Sequence, residues 1–145
     1  MSIRGIARSS RALPRQKNDA SMKYLLDTNI IVALTINSEV SVIRRAAECD
    51  AGDMVTSAIA IAEVAFGTER GDPPSMELLR AFVEEVPVLD FDYKAALAYA
   101  SLPFRRASFD RLIAAHALSH DLIVVTRNEK DFADVPGLKV ENWTV

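Results

Sequence analysis

A chain of 145 residues, half of them hydrophobic and with a net charge of −3, has room for one domain with a real core and not for two. Its longest apolar runs, such as Ala58–Ala62 and Leu122–Val125, are far too short to span a bilayer, so no membrane role is expected. Cys49 is the single cysteine, which excludes an intrachain disulfide and fits a reducing, cytoplasmic compartment.

The charge is unevenly placed. Arg4, Arg8, Arg11, Arg15 and Lys17 meet no acid within residues 1–17. Removing those five from the 17 basic residues leaves 12 against 20 acids, a net −8 for the rest of the chain. An acidic body is not that of a passive nucleic-acid binder; it suits carboxylates that cations are meant to cover. Residues 1–21 also lack a hydrophobic period. They read as a disordered basic extension, as an over-long start with Met22 the natural beginning, or as a transit peptide. Residues 22–145 form the expected domain.

From Lys23 onward, strand-like and helix-like pieces alternate. Tyr24-Leu25-Leu26 is a short buried strand ending at Asp27. Thr28–Ile36 reads as a helix, and Ser38–Cys49 as a second one capped by Ser38. Met54-Val55-Thr56 is a strand, and Ser57 caps the helix Ala58–Glu69. Asp72-Pro73-Pro74 signals a helix with proline in its first turn, continuing as Ser75–Glu85. Val86–Leu89 is a strand. Asp92 caps Tyr93–Leu102, whose Ala95, Ala96 and Ala98 permit close packing. A basic loop, Phe104–Ala107, leads to Ser108 and the helix Phe109–His120. Leu122–Val125 is the clearest buried strand. A short helix at Glu129–Ala133 and a strand at Leu138–Glu141 complete the pattern, which is that of an α/β layer fold around a mostly parallel sheet.

In open parallel sheets, function gathers beyond the carboxyl ends of the strands. Four acids fall at or near such places: Asp27 after the first strand, Glu63 in the second turn of the helix after the second strand, Asp110 in the first turn of its helix, and Asp131 beyond Leu122–Val125. Asp27 alone is equally a helix cap, Asp110 equally a partner of the helix dipole, and Asp131 equally a solvated surface acid. Glu63 is harder to dismiss. It sits among Ile59, Ala60, Ile61, Ala62, Val64 and Ala65, with no cation on its helix before Arg70. A buried, ionised carboxylate there costs several kcal/mol unless something pairs with it. Converging carboxylates also repel one another, and a divalent cation answers both problems. Oxygen donors without histidine or thiolate suit Mg²⁺ or Mn²⁺, and the chemistry such ions serve here is phosphodiester hydrolysis.

Four stretches resemble one family. They are Lys23-Tyr24-Leu25-Leu26-Asp27-Thr28-Asn29, Ser57 through Gly67 with Glu63 inside it, Asp110-Arg111-Leu112-Ile113-Ala114-Ala115-His116-Ala117-Leu118, and Thr126 through Phe132 followed by Val135-Pro136-Gly137-Leu138 and Glu141-Asn142-Trp143. In this order, from about Met22 to Trp143, the chain resembles the PIN-domain ribonucleases, and more narrowly the VapC-type toxins of type II toxin–antitoxin pairs. The resemblance implies a three-layer sandwich with a central sheet of four or five strands. It implies an Mg²⁺- or Mn²⁺-dependent endoribonuclease, usually a homodimer, held inactive by a VapB-type antitoxin. It makes Asp27, Glu63 and Asp110 the core metal ligands and Asp131 the fourth acid, with Asn128 competing for that place. Thr28 and Thr126 could present hydroxyls to the reacting water or the phosphate, and Asn29, Arg111 and Arg127 could touch substrate or support the ligands. The expected cleavage is in-line attack by water, leaving 5′-phosphate and 3′-hydroxyl ends. The stretch Leu102–Ser108 is shorter and more basic than in many members, which bears on the substrate groove more than on the acids.

Arg105, Arg106, Arg111, Arg127 and Lys130 flank the last two acidic motifs, either as an ordinary solvated surface or as a phosphate-contacting rim. His116 lies six residues past Asp110, off its face, and reads as a core histidine. Cys49, Phe132 and Trp143 read as packing residues. Ile30, Ile31 and Val32 are consecutive and cannot share one core stripe, so the first two helices are expected to hold a partner surface. Two other readings keep the fold: a catalytically inactive module that binds RNA or a partner, and an RNA-processing nuclease that is not a toxin. A receiver domain would need an acid pair at the first strand, and a haloacid-dehalogenase-type phosphatase would need Asp-x-Asp where this chain has Asp27-Thr28-Asn29. Both fit worse.

Overall fold

Strand β1 (Tyr24–Leu26) is central, with β2 (Met54–Ser57) on one side and β4 (Ile123–Val125) on the other. The structure, a computed structural model, describes residues 22–103 and 108–145. Strands β3 (Val88–Leu89) and β5 (Val140–Glu141) close the two edges, giving the order β3-β2-β1-β4-β5 with every pairing parallel. Leu25, Leu26, Val55, Val124 and Val125 are buried, as expected of short apolar strands covered on both faces. The sheet thus has the higher of the two expected strand numbers. The basic extension at residues 1–21 and the loop Phe104–Ala107 lie outside the described residues.

The connections are helical. Between β1 and β2 run α1 (Thr28–Thr35) and α2 (Val40–Ala47), and between β2 and β3 run α3 (Ala58–Glu69) and α4 (Met76–Glu85). Helices α5 (Tyr93–Ala100) and α6 (Phe109–Ser119) carry the chain from one edge of the sheet to the opposite side of β1. A 3-10 turn, Glu129–Phe132, joins β4 to β5. The chain direction across the sheet therefore reverses between β1 and β4, the place where such sheets open a crevice.

Most caps follow the expected chemistry. Asp27 accepts from the Thr28 amide, Ser57 from Ile59, Asp92 from Ala95 and Ser108 from Arg111, each filling an orphan donor of a first turn. Two expectations are corrected. Helix α2 starts later, with Glu39 rather than Ser38 at the cap and no side-chain cap bond. Helix α4 begins at Met76 under a Ser75 cap, so Pro73 and Pro74 precede the helix instead of entering its first turn. The serine hydroxyl reaches Leu78 N, a bond the prolines cannot replace.

Ile30 and Ile31 are both fully buried, and Val32 packs partly against the core. The surplus expected on α1 is therefore absorbed internally, because α1 is enclosed by α2, α3 and α4. The apolar groups left exposed in this region are Ile36 and Val40. Phe132 and Trp143 are buried anchors, Trp143 meeting Tyr24 edge-on with centroids 5.0 Å apart. Cys49 is buried, and burial pushes its thiol up to about 11, in keeping with a packing role.

Candidate active site

The crevice between β1 and β4 is built on backbone register. Leu26 pairs with Val125, and the Asp27 amide continues the ladder to the Val125 carbonyl at 2.9 Å. Asp27 and Thr126, the residues after the two strands, are thereby placed side by side. The Thr126 hydroxyl donates to Asp27 Oδ2 at 2.8 Å, while Asp27 Oδ1 accepts from the Thr28 amide at 2.8 Å. Both carboxylate oxygens of a nearly fully buried Asp27 thus have donors. Thr126 Oγ1 also accepts from the Asn128 amide at 3.0 Å, which ties the loop after β4 to the same hydroxyl.

Glu63 is half-buried on α3, and its partner comes from another helix. Thr28 Oγ1 donates to Glu63 Oε1 at 2.8 Å. The hydroxyls of Thr28 and Thr126, expected near water or phosphate, are here committed to two of the four acids. Helix α6 brings Asp110 in its first turn, and the 3-10 turn brings Asp131, which is exposed.

Electrostatics shows how closely these groups gather. Asp110 is pushed up to about 6, first by burial and then by the charges of Asp27, Asp131 and Glu63. Asp27 is raised as well, chiefly by burial; the Thr126 and Thr28 hydrogen bonds hold it back, and Glu63 and Asp131 push it higher. The charges of Glu63 and Asp131 therefore bear on both Asp27 and Asp110, and among the described residues no cation stands with the main influences on either. Among the described residues, however, no three acids are already drawn together closely enough to ligate one ion. The donor set is all oxygen and mutually repulsive, which is the chemistry a hard divalent cation fits.

The neighbouring residues divide into two kinds. Asn29 Oδ1 accepts from the Arg127 amide at 3.0 Å, and the Arg127 guanidinium pairs with Glu39. Arg127, Asn128, Glu129, Lys130 and Asp131 line an open cavity of about 550 Å³. Arg111, grouped with these cations in the sequence as a possible phosphate rim, is instead buried. Its guanidinium donates to Asp134 at 3.2 Å and to the Pro103 carbonyl at 2.6 Å, so it fastens α6 to its surroundings. Arg105 and Arg106 lie outside the described residues.

Sequence reasoning did not anticipate Asp134, Glu39 or the bond between His116 Nδ1 and Ser57 Oγ at 2.7 Å. No spacing signals the first two, since their partners are 23 and 88 residues away. Ser57 was visible only as a cap, and His116, expected in the core, is indeed fully buried.

Comparison with known proteins agrees with this geometry. The PIN domain family matches residues 24–138. The tRNA(fMet)-specific endonuclease VapC of Shigella flexneri is 33% identical over 132 residues, covering 85% of this chain and 99% of that protein. Ribonuclease VapC2 of Haemophilus influenzae is 30% identical over 131 residues, covering 84% and 98%. Among solved structures, VapBC2 from Rickettsia felis bound to a DNA fragment from its promoter superposes with a TM-score of 0.72 at 28% identity, over 84% of this chain and 99% of the other. VapBC-1 from nontypeable Haemophilus influenzae superposes at 0.67 with 30% identity, over 86% and 100%. With nearly the whole domain matched at both levels, the chain belongs to the PIN-domain family, among its VapC ribonucleases.

Proposed function

We propose that this protein is a metal-dependent endoribonuclease, the toxin of a toxin–antitoxin pair, with Asp27, Glu63, Asp110 and Asp131 holding Mg²⁺ or Mn²⁺. The observation that carries the site is Asp110, whose carboxyl rises to about 6 under burial and the charges of the other three acids. Such crowding disfavours the ionised form, and a positive charge entering among the carboxylates relieves it. When bound, the ion stabilises charge developing on the phosphate and activates water for attack.

The chain's own groups prepare that chemistry. Thr126 and the Thr28 amide fix both oxygens of Asp27, and the Thr28 hydroxyl fixes Glu63. Oriented carboxylates of this kind bind a metal more tightly than free ones, because second partners hold them in place. Asp131 acts on both Asp27 and Asp110, which supports it as the fourth acid, with Asn128 the alternative donor. Arg127 and Lys130, beside Asp131 at the open cavity, would meet the phosphates of an incoming RNA.

The partners follow from the relatives. A VapB-type antitoxin is the expected inhibitor, since structural neighbours were solved as VapBC complexes, and a homodimer is the expected assembly. Initiator tRNA is the first substrate to try, because two relatives are named for it. Among the described residues no helix is long and apolar enough to cross a membrane. The test is cleavage of RNA by the purified protein with Mn²⁺, with Mg²⁺ and with chelator, beside Asp27→Asn. Metal-dependent cleavage lost in the variant supports the reading. Cleavage that persists in chelator, or products ending in 2′,3′-cyclic phosphate, would overturn it. A folded protein that binds Mn²⁺ and RNA without cleaving would favour the inactive binding module.

A further inference from the structure

His116 is an uneconomical residue for its position. It is fully buried between Ala115 and Ala117, and among the described residues its Nε2 makes no well-formed hydrogen bond, although the Asp90 backbone interacts with the ring. An apolar side chain would fill the space without stranding a polar atom. What the imidazole provides is the bond from Nδ1 to Ser57 Oγ, 2.7 Å long, buried, and joining residues 59 apart in sequence. The ring is also held edge-on to Phe91, with centroids 5.3 Å apart, and tilted against His120 at 5.6 Å, so its direction is fixed.

The partner matters as much. Ser57 Oγ also accepts from the Ile59 amide at 3.0 Å and so caps α3. A hydroxyl has one proton and two lone pairs, so it can accept from Ile59 and donate to the imidazole together. The bond therefore joins the start of α3 to the later part of α6. Glu63 is six residues beyond Ser57 on α3, and Asp110 is six residues before His116 on α6. Six residues of helix rise about 9 Å. Helices α3 and α6 pack together, and the charge of Glu63 bears on Asp110, so from the Ser57–His116 bond the two segments run in opposite senses with Glu63 on the side of Asp110. One end of the pair carries two carboxylates that repel, and the other end carries the bond.

We propose that the His116–Ser57 bond is a latch that sets the separation of Glu63 and Asp110, making both His116 and Ser57 positioning residues for metal binding and cleavage. This rests on the reading of the four acids as a metal site. Without the latch, repulsion between the acids spreads α3 from α6, and the ligand set closes on a cation less well.

The test compares wild type with His116→Leu, His116→Asn, Ser57→Ala and the double variant His116→Leu/Ser57→Ala. Calorimetry gives Mn²⁺ affinity, thermal melting gives stability, and cleavage of a labelled RNA that the wild type cuts gives kcat and KM. His116→Leu and Ser57→Ala are expected to weaken Mn²⁺ binding about 10- to 100-fold, the range for supporting partners of metal ligands. The loss falls on kcat with KM unchanged. His116→Asn, which keeps a polar atom near the Nδ1 position, restores most of the affinity. The double variant binds no worse than Ser57→Ala, because the change at His116 then has no bond left to break. If His116→Leu does not fold, Ser57→Ala decides, since it removes only a cap and the bond. Mn²⁺ affinity equal to wild type in the folded variants, or loss of stability without loss of affinity, overturns the latch alone. A wild type that binds no Mn²⁺ overturns the metal-site reading and the latch with it.

Discussion

The Thr126 hydroxyl reaches Asp27 Oδ2 at 2.8 Å across the seam between β1 and β4. This places a neutral donor, buried and without exposure, on the most enclosed carboxylate of the site. Thr126→Val keeps the shape and removes the donor. Asp27 then loses the first of the two bonds that hold its pKa down. Leaving a buried acceptor unpaired costs about 1–3 kcal/mol, so the metal-free variant should melt lower, and cleavage should fall about 10- to 100-fold. Melting and activity equal to wild type would show that the bond has no part in either.

Mutual repulsion predicts that neutralising one acid stabilises the metal-free protein. Asp110→Asn removes a charge that faces Asp27, Asp131 and Glu63. Its melting temperature without metal should exceed that of wild type at pH 8, while RNA cleavage is abolished. Asp27→Asn should behave alike in activity, with a smaller gain because Asp27 already has two donors. A lower melting temperature for Asp110→Asn in chelator would contradict the crowding.

The pH dependence follows with its sign. Asp110 titrates near 6 in the folded protein against 3.8 as the ordinary value, and Asp27 is also raised. Between those two values the folded state binds more protons than the unfolded state. The contribution of these groups to metal-free stability therefore declines as pH rises from about 4 through 6. Mn²⁺ must displace those protons, so its stabilising effect should grow across the same window. Melting with and without Mn²⁺ at pH 5, 6, 7 and 8 reads it directly. A Mn²⁺ increment that is as large at pH 5 as at pH 8 would contradict the assignment.

Arg111 and Lys130 should separate structure from substrate contact. Arg111 is buried, bound to Asp134 and the Pro103 carbonyl. Arg111→Met should cost about 2 kcal/mol by taking the guanidinium donors from the Pro103 carbonyl and from Asp134. The salt dependence of RNA binding should stay as in wild type. Lys130, at the exposed cavity, should show the reverse: Lys130→Gln leaves stability unchanged and lowers the salt slope of RNA binding by about one. Equal salt slopes for wild type and Lys130→Gln would remove Lys130 from the phosphate path.

Much of this protein was legible in the order of its residues. Apolar triplets followed by capping residues marked the strands and helix starts at Tyr24–Leu26, Ser57 and Asp92, because period and capping are local properties. The four acids could be picked out as candidates from their places near strand ends and helix starts, with Glu63 alone marked as a lone charge on an apolar helix. What sequence alone could not decide was which groups meet. Thr126 and Asp27 are 99 residues apart, and His116 and Ser57 are 59 apart. Their contacts depend on β4 lying beside β1 and α6 beside α3. Arg111 likewise looks like any other cation near an acidic motif until α6 turns it inward to Asp134. Burial, pairing and pKa belong to the assembled sheet and its helices, since a carboxylate responds to its distance from other charges and not to its place along the chain.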